Sequence, residues 1–189
     1  MEKAQKLLSL AETLTDPDDP STIEGTLKIG AIASAHINPI PEALPRFASE
    51  FPKMRQSVVP GTSLELLDKV DSRQLDLAII IKPNFELPAP LQWTMLQADP
   101  FVMVAPRTWN VESPHLALRT LPFVRYSRIS FGGRAVDNYL NTHQIRPNDF
   151  VELDDISTIL SLVADECGIA IVPRMAIYAS QFRATTVIE

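Results

Sequence analysis

Four short stretches place hydroxyl, amide and charged groups where an apolar run gives way to a helical pattern. They are Ser34, Ala35 and His36; Gly61, Thr62 and Ser63; Ser127, Arg128, Ser130 and Phe131; and Asp154 with Asp155. A helix N-terminus exposes backbone N–H groups and the positive end of the helix dipole, so it attracts small polar or anionic groups. A carboxylate accepting such donors gains roughly 1.5–3 kcal/mol per charged hydrogen bond. In open α/β sheets ligands settle at the C-terminal rim of the strands, where these stretches fall. The chemistry on offer is recognition. Patterns for catalysis are missing: there is no His/Cys metal spacing, no G-x-S-x-G elbow and no G-x-x-x-x-G-K-S/T phosphate loop, and His36, His115 and His143 are scattered. The chain reads as a non-enzyme without cofactor or metal.

Each candidate also has a structural reading. Thr62 and Ser63 cap a helix whatever the function, and Asp154 and Asp155 do the same for another. Adjacent residues at a helix start point differently, which argues against a catalytic carboxylate pair. Arg128 can be a surface side chain, and His36 a solvated or structural one. Cys167 is the only cysteine, so no internal disulfide forms and no second thiol can resolve a sulfenic acid. Its neighbours Val163, Ile169 and Ile171 predict a buried, inert thiol.

The elements that would position these groups alternate. Residues 2–14 carry Leu7, Leu10, Ala11 and Leu14 on one helical stripe, ended by DPDDPST. Residues 25–31 alternate as a strand, and the following helix carries Ile40, Leu44, Phe47 and Phe51, with Pro45 against continuity. A strand at 54–59, a helix at 62–71 and a strand at 75–81 complete a βαβαβ unit with a parallel sheet. After Pro83, Pro88 and Pro90, strands are expected at 91–96 and 101–105, then a loosely ordered stretch to Thr120. A strand at 123–126, a loop at Gly132–Gly133 and a helix with Val136, Tyr139, Leu140 and His143 follow. A strand at 150–153, a helix at 155–166 stopped by Gly168, and a strand at 169–172 echo the first half.

The totals fit this plan. At 189 residues the chain holds one domain or two small lobes, and 46% hydrophobic with 21% charged residues is ordinary for a globular protein. The net charge of −6 argues against the chain gripping nucleic acid by itself. Six acids against Lys3 and Lys6 sit in residues 1–24. No run of about 18 apolar residues spans a membrane, and no secretory signal opens the chain. A single cysteine and no signal fit a cytoplasmic setting.

Taken in order, GTLKIG, ALPRFASEFP, PGTSLELLDKV, QLDLAIII, DPFVMVAP, FGGRAVDNYL and ELDDISTILSLVADECGIAIVP resemble the effector-binding domain of LysR-type transcriptional regulators. The likeness runs over roughly residues 25–180. It implies an α/β fold of two Rossmann-like lobes with a cleft between them, similar to type 2 periplasmic binding proteins and incomplete at the C-terminus. Residues 1–24 would be the end of a linker helix, 25–104 lobe one, 105–180 lobe two and 181–189 the start of a return toward lobe one. The resemblance implies a small-molecule effector, anionic by the presence of Arg128 and the helix ends. It places effector contacts near Ser34, Thr62, Ser127 and Arg128, with Ala35 and Ser63 beside them and Ile80 and Phe101 at the walls. It also implies an antiparallel homodimer, a tetramer in the full-length protein, with Ile40, Phe47, Ile159 and Val163 at the interface. DNA would be reached only through a winged helix-turn-helix expected before residue 1, which makes this chain a fragment. A solute-binding protein for transport and a ligandless dimerisation scaffold are the alternative readings.

Overall fold

The computed structural model describes residues 20–188. The helix expected at 2–14 lies outside them. The chain divides into two compact units, one up to Ala98 and one from Asp99.

In the first unit, β1 (Gly25–Ala31) is the central strand of a parallel sheet, flanked by β2 (Met54–Pro60) and β3 (Leu77–Ile79). Helices α1 (Ala33–Ile37), α2 (Ile40–Glu50) and α3 (Ser63–Asp71) connect the strands, giving the expected βαβαβ order. The strand alternation buries Leu27 and Ile29, and α2 lays Ile40 and Phe47 against them. Each such side chain, fully buried, contributes roughly 1.5–3 kcal/mol. That burial holds α2 continuous through Pro45, which removes one backbone donor. Phe47 and Phe51 stack with ring centroids 4.6 Å apart and close the helix end against the sheet.

The second unit repeats the scheme. Strand β5 (Pro122–Tyr126), helix α5 (Phe131–Thr142) and strand β6 (Asn148–Leu153) form a parallel pair with its crossover. Helix α6 (Ile156–Ala164) leads to β7 (Ala170–Pro173). Strand β7 runs antiparallel to β4 (Phe101–Pro106), whose other edge takes β8 (Thr185–Ile188), also antiparallel. Helix α4 (Pro114–Thr120) precedes β5, and a 3-10 turn (Ala176–Tyr178) with α7 (Ala179–Phe182) precedes β8. The core is continuous through β4, β5, α5, α6 and β7, with Ile159, Leu160 and Val163 of α6 wholly buried.

Four expectations fail locally. Residues 91–96 form no strand; their alternation instead sets Leu96 against Ala43 and Ile79. The stretch to Thr120 is not loose, because Ser113 caps α4 by accepting from the Leu116 N–H, and Pro114 suits its first turn. Gly132 and Gly133 are not a loop but the first turn of α5. A Cβ on Gly133 would lie 1.8 Å from the Ser127 carbonyl oxygen, so only glycine lets this helix start so close to β5. Strand β3 stops at Ile79, and beyond it the Ile81 N–H donates to Ser63 Oγ at 3.2 Å.

Candidate functional site

In the first unit the C-terminal ends of the parallel strands carry α1 and α3. Ser34 sits half-buried in the first turn of α1, and Ala35 is buried behind it. Nothing among the described side chains caps α1, since its N-cap residue is Ile32. The next polar groups are unusual. His36 Nε2 and Asn38 Oδ1 are buried and meet no hydrogen-bond partner among the described residues. A buried polar atom left unpaired costs about 1–3 kcal/mol, and such atoms concentrate where function demands them.

Helix α3 begins on Thr62, which forms a complete capping box with Glu65. Thr62 Oγ1 accepts from the Glu65 N–H at 3.4 Å, and Glu65 Oε2 accepts from the Thr62 N–H at 2.9 Å. These bonds to Thr62, backbone first, hold the Glu65 carboxyl below the usual carboxylate range. A carboxylate of the chain itself therefore occupies the dipole end that an anionic ligand would use. Ser63 is buried and spends its hydroxyl on Ile81. Ile80 is half-buried just past β3.

The second unit gathers a different set. Ser127 is buried after β5, and its carbonyl accepts from Ser130 Oγ at 2.9 Å. Ser130 in turn caps α5 by accepting from the Gly133 N–H at 3.1 Å. The one Ser130 O–H is committed to Ser127, and Tyr126 and Asp154 lie close enough to that hydroxyl to feel it. Burial pushes the Tyr126 phenol up to about 12 and raises the Asp154 carboxyl, the latter helped by the neighbouring charge of Asp155. Asp155 caps α6 through the Thr158 N–H at 2.7 Å. Burial, and then the same Asp155 charge, raises Tyr178. Tyr126, Ser130 and Asp154 thus lie near one another beyond β5 and β6, with Asp155 and Tyr178 close enough to influence each other electrostatically. Sequence reading passed over Tyr126 and Tyr178. The signal for Tyr126 was a phenol ending the apolar run before Ser127, a position that needs a partner for its O–H.

Arg128 does not stand free. Its guanidinium lies 2.6 Å from Asp149 Oδ2, 3.4 Å from Glu152 Oε2 and 3.5 Å from Asp137 Oδ1. The buried Arg125 reaches the same acids, 2.9 Å to Asp149 and 3.1 Å to Asp137. With three carboxylates around two guanidiniums, Arg128 has no surplus charge for an anion, and the inference of an anionic effector from Arg128 falls away. Phe101 opens β4 with its ring 42% exposed. Cys167 is half-buried rather than buried, with Sγ 3.8 Å from the Asp165 carbonyl oxygen.

Ile40, Phe47, Ile159 and Val163 point into the cores of their own units, between 0% and 5% exposed. The apolar stripes that suggested an interface are filled by the sheets beneath them, so these four side chains offer a partner no surface. Among the described residues no group of three or more His, Cys, Asp or Glu side chains could hold a metal ion. No described helix is long and apolar enough to cross a membrane.

A family model described as the LysR substrate binding domain matches residues 20–187. The HTH-type transcriptional regulator IlvR of Caulobacter vibrioides is 29% identical over 154 residues, covering 79% of this chain and 52% of the relative. The HTH-type transcriptional activator IlvY of Salmonella typhimurium is 26% identical over 170 residues, covering 86% and 56%. The chain thus spans about half the length of these curated relatives. Among solved structures, the effector binding domain of QuiR in complex with shikimate superposes with a TM-score of 0.71 at 17% identity, covering 88% of this chain and 81% of that one. The Synechocystis CcmR regulatory domain in complex with 2-PG gives 0.66 at 21% identity, covering 80% and 73%. Likeness at that identity establishes the shared fold.

Proposed function

The chain belongs to the LysR substrate-binding domain family, and from that premise we propose that it senses a small effector, with the polar groups at the strand ends within each unit as candidate contacts. The observation that carries this reading is the pair of polar groups at those ends. One is Ser34 with the unpaired His36 Nε2 and Asn38 Oδ1. The other is Tyr126, Ser130 and Asp154. Ser34, Ala35, Thr62, Ser63, Ile80, Phe101 and Ser127 are the proposed contacts and walls, with Tyr126 added; Arg128 acts by holding β5, α5 and β6 together. Glu65 and Asp155 already occupy two helix dipole ends. Acids and hydroxyls at the rim favour an effector that brings donors, a hydroxyl or an amino group, beside any carboxylate.

The effector would shift the balance between two arrangements of the domain, by no more than its difference in affinity for them. In the proposed full-length regulator that shift alters how a winged helix-turn-helix meets DNA. The same proposal makes the protein a cytoplasmic non-enzyme. Self-association is proposed through the outer edges of β2 and β6, each paired on one side only among the described residues, with Phe150 on β6 60% exposed. A thermal-shift screen of small hydroxy acids, amino acids and aromatic carboxylates tests the reading. A binder at 100 times its Kd adds about 2.7 kcal/mol. Failure of every compound to raise the melting temperature would favour the scaffold alternative.

A further inference from the structure

A depression of about 450 Å³, half open to solvent, lies on the second unit, bordered by the exposed Arg119, Asn141, Gln144 and Arg146 with Ile145 beneath. Ile145 is 3% exposed and forms an apolar floor. Arg119 belongs to the last turn of α4, Asn141 to the last turn of α5, and Gln144 to Arg146 follow the end of α5. Gln144 takes a positive φ of 53° there, which turns the chain back across the end of α5. No Asp or Glu lines the depression. Among the described residues no carboxylate pairs with Arg119 or Arg146, whereas Arg125 and Arg128 share three. The acid nearest in the bonding pattern is Asp137, which accepts from Asn141 Nδ2 at 3.2 Å, and it is already bound by Arg125 and Arg128.

We propose that this depression binds a small oxyanion, the phosphate or carboxylate group of a metabolite, through the guanidinium groups of Arg119 and Arg146. The site is additional to the proposed effector site and does not depend on it. The rival role for these arginines is to offset the carbonyl ends of α4 and α5. Two helix ends amount to roughly half a negative charge each, against two full positive charges, which leaves a surplus of about one. A guanidinium presents a planar fork that matches two oxygens of a phosphate or carboxylate. The side-chain amides of Asn141 and Gln144 add polar groups at the rim.

The test is an NMR titration of the 189-residue chain with inorganic phosphate to about 20 mM, at ionic strength fixed with chloride. Saturable shifts at residue 119 and residues 141–146 are expected. Arg119→Gln and Arg146→Gln should each weaken phosphate at least tenfold, and the double variant should lose it. Arg119→Lys, which keeps the charge and loses the fork, should fall between. Both arginines are exposed, so the fold survives these changes. If the arginines only serve the helix ends, the variants lower the melting temperature equally with and without phosphate. That result, shifts confined to Ser34, Thr62 and Ser127, or unchanged binding in the double variant, would overturn the proposal.

Discussion

The two units follow one βαβ plan and finish it with different chemistry. The first unit closes its strand ends with side chains bonded to backbone N–H groups: Thr62 and Glu65 in a capping box, Ser63 on Ile81, and two buried atoms left unpaired among the described residues. The second closes them with tight backbone packing and long-range charge: Gly133 against Ser127, and Arg125 joining β5 to α5 and β6. A shared topology thus constrains where polar groups collect without dictating which ones. It also predicts which unit is brittle. Changes at the rim of the second unit should cost more stability than changes at the rim of the first.

The largest effect is expected from Gly133→Ala. Its methyl would overlap a backbone oxygen that cannot move alone, so about 3 kcal/mol should be lost in urea unfolding. A loss below about 1 kcal/mol would show that α5 can start elsewhere. Next comes Asp149→Ala. It leaves Arg125, whose side chain is only 4% exposed, with Asp137 as its remaining carboxylate, and about 2 kcal/mol should be lost. Thr62→Ala in the first unit removes a cap and should cost about 1 kcal/mol. If Thr62→Ala proves costlier than Asp149→Ala, the contrast between the units is reversed.

The smallest effect is a pH dependence. Burial raises the Asp154 carboxyl above its ordinary value, so the folded state binds its proton more tightly than the unfolded chain does. The stability this group contributes is present below the ordinary aspartate value of 3.8 and is lost as pH rises through the higher folded value. Asp154→Asn should therefore raise the melting temperature slightly at pH 7 and not at pH 3. A gain at both would trace it to something other than ionisation.

Much of this was legible in the sequence, and the failures have physical reasons. The β1–α2–β2–α3–β3 order followed from strand alternation and helical spacing, because each of these elements carries its own apolar period. Thr62 was legible as a cap. Glu65, three residues on, completes the box and so changes what the helix end can bind. Helix α4 carried its own signal in Ser113–Pro114 and was passed over for lack of a long apolar stripe. Gly132–Gly133 reads as a loop only until the Ser127 carbonyl is placed beside it. The partners of Arg125 and Arg128 lie up to 24 residues away, on another strand and helix, so no local pattern announces them. The stripe through Ile159, Leu162 and Val163 suggested two apolar faces; β4, β5 and β7 pack around it and bury Ile159 and Val163, with Leu162 partly buried beside them.

The most direct measurement is calorimetric titration of the effector found by screening into the parent chain, Ser34→Val, Thr62→Val and Tyr126→Phe. Saturable binding to the parent is expected, with a loss of about tenfold or more in at least one of the variants. Undiminished affinity in all three variants would contradict the proposed contacts.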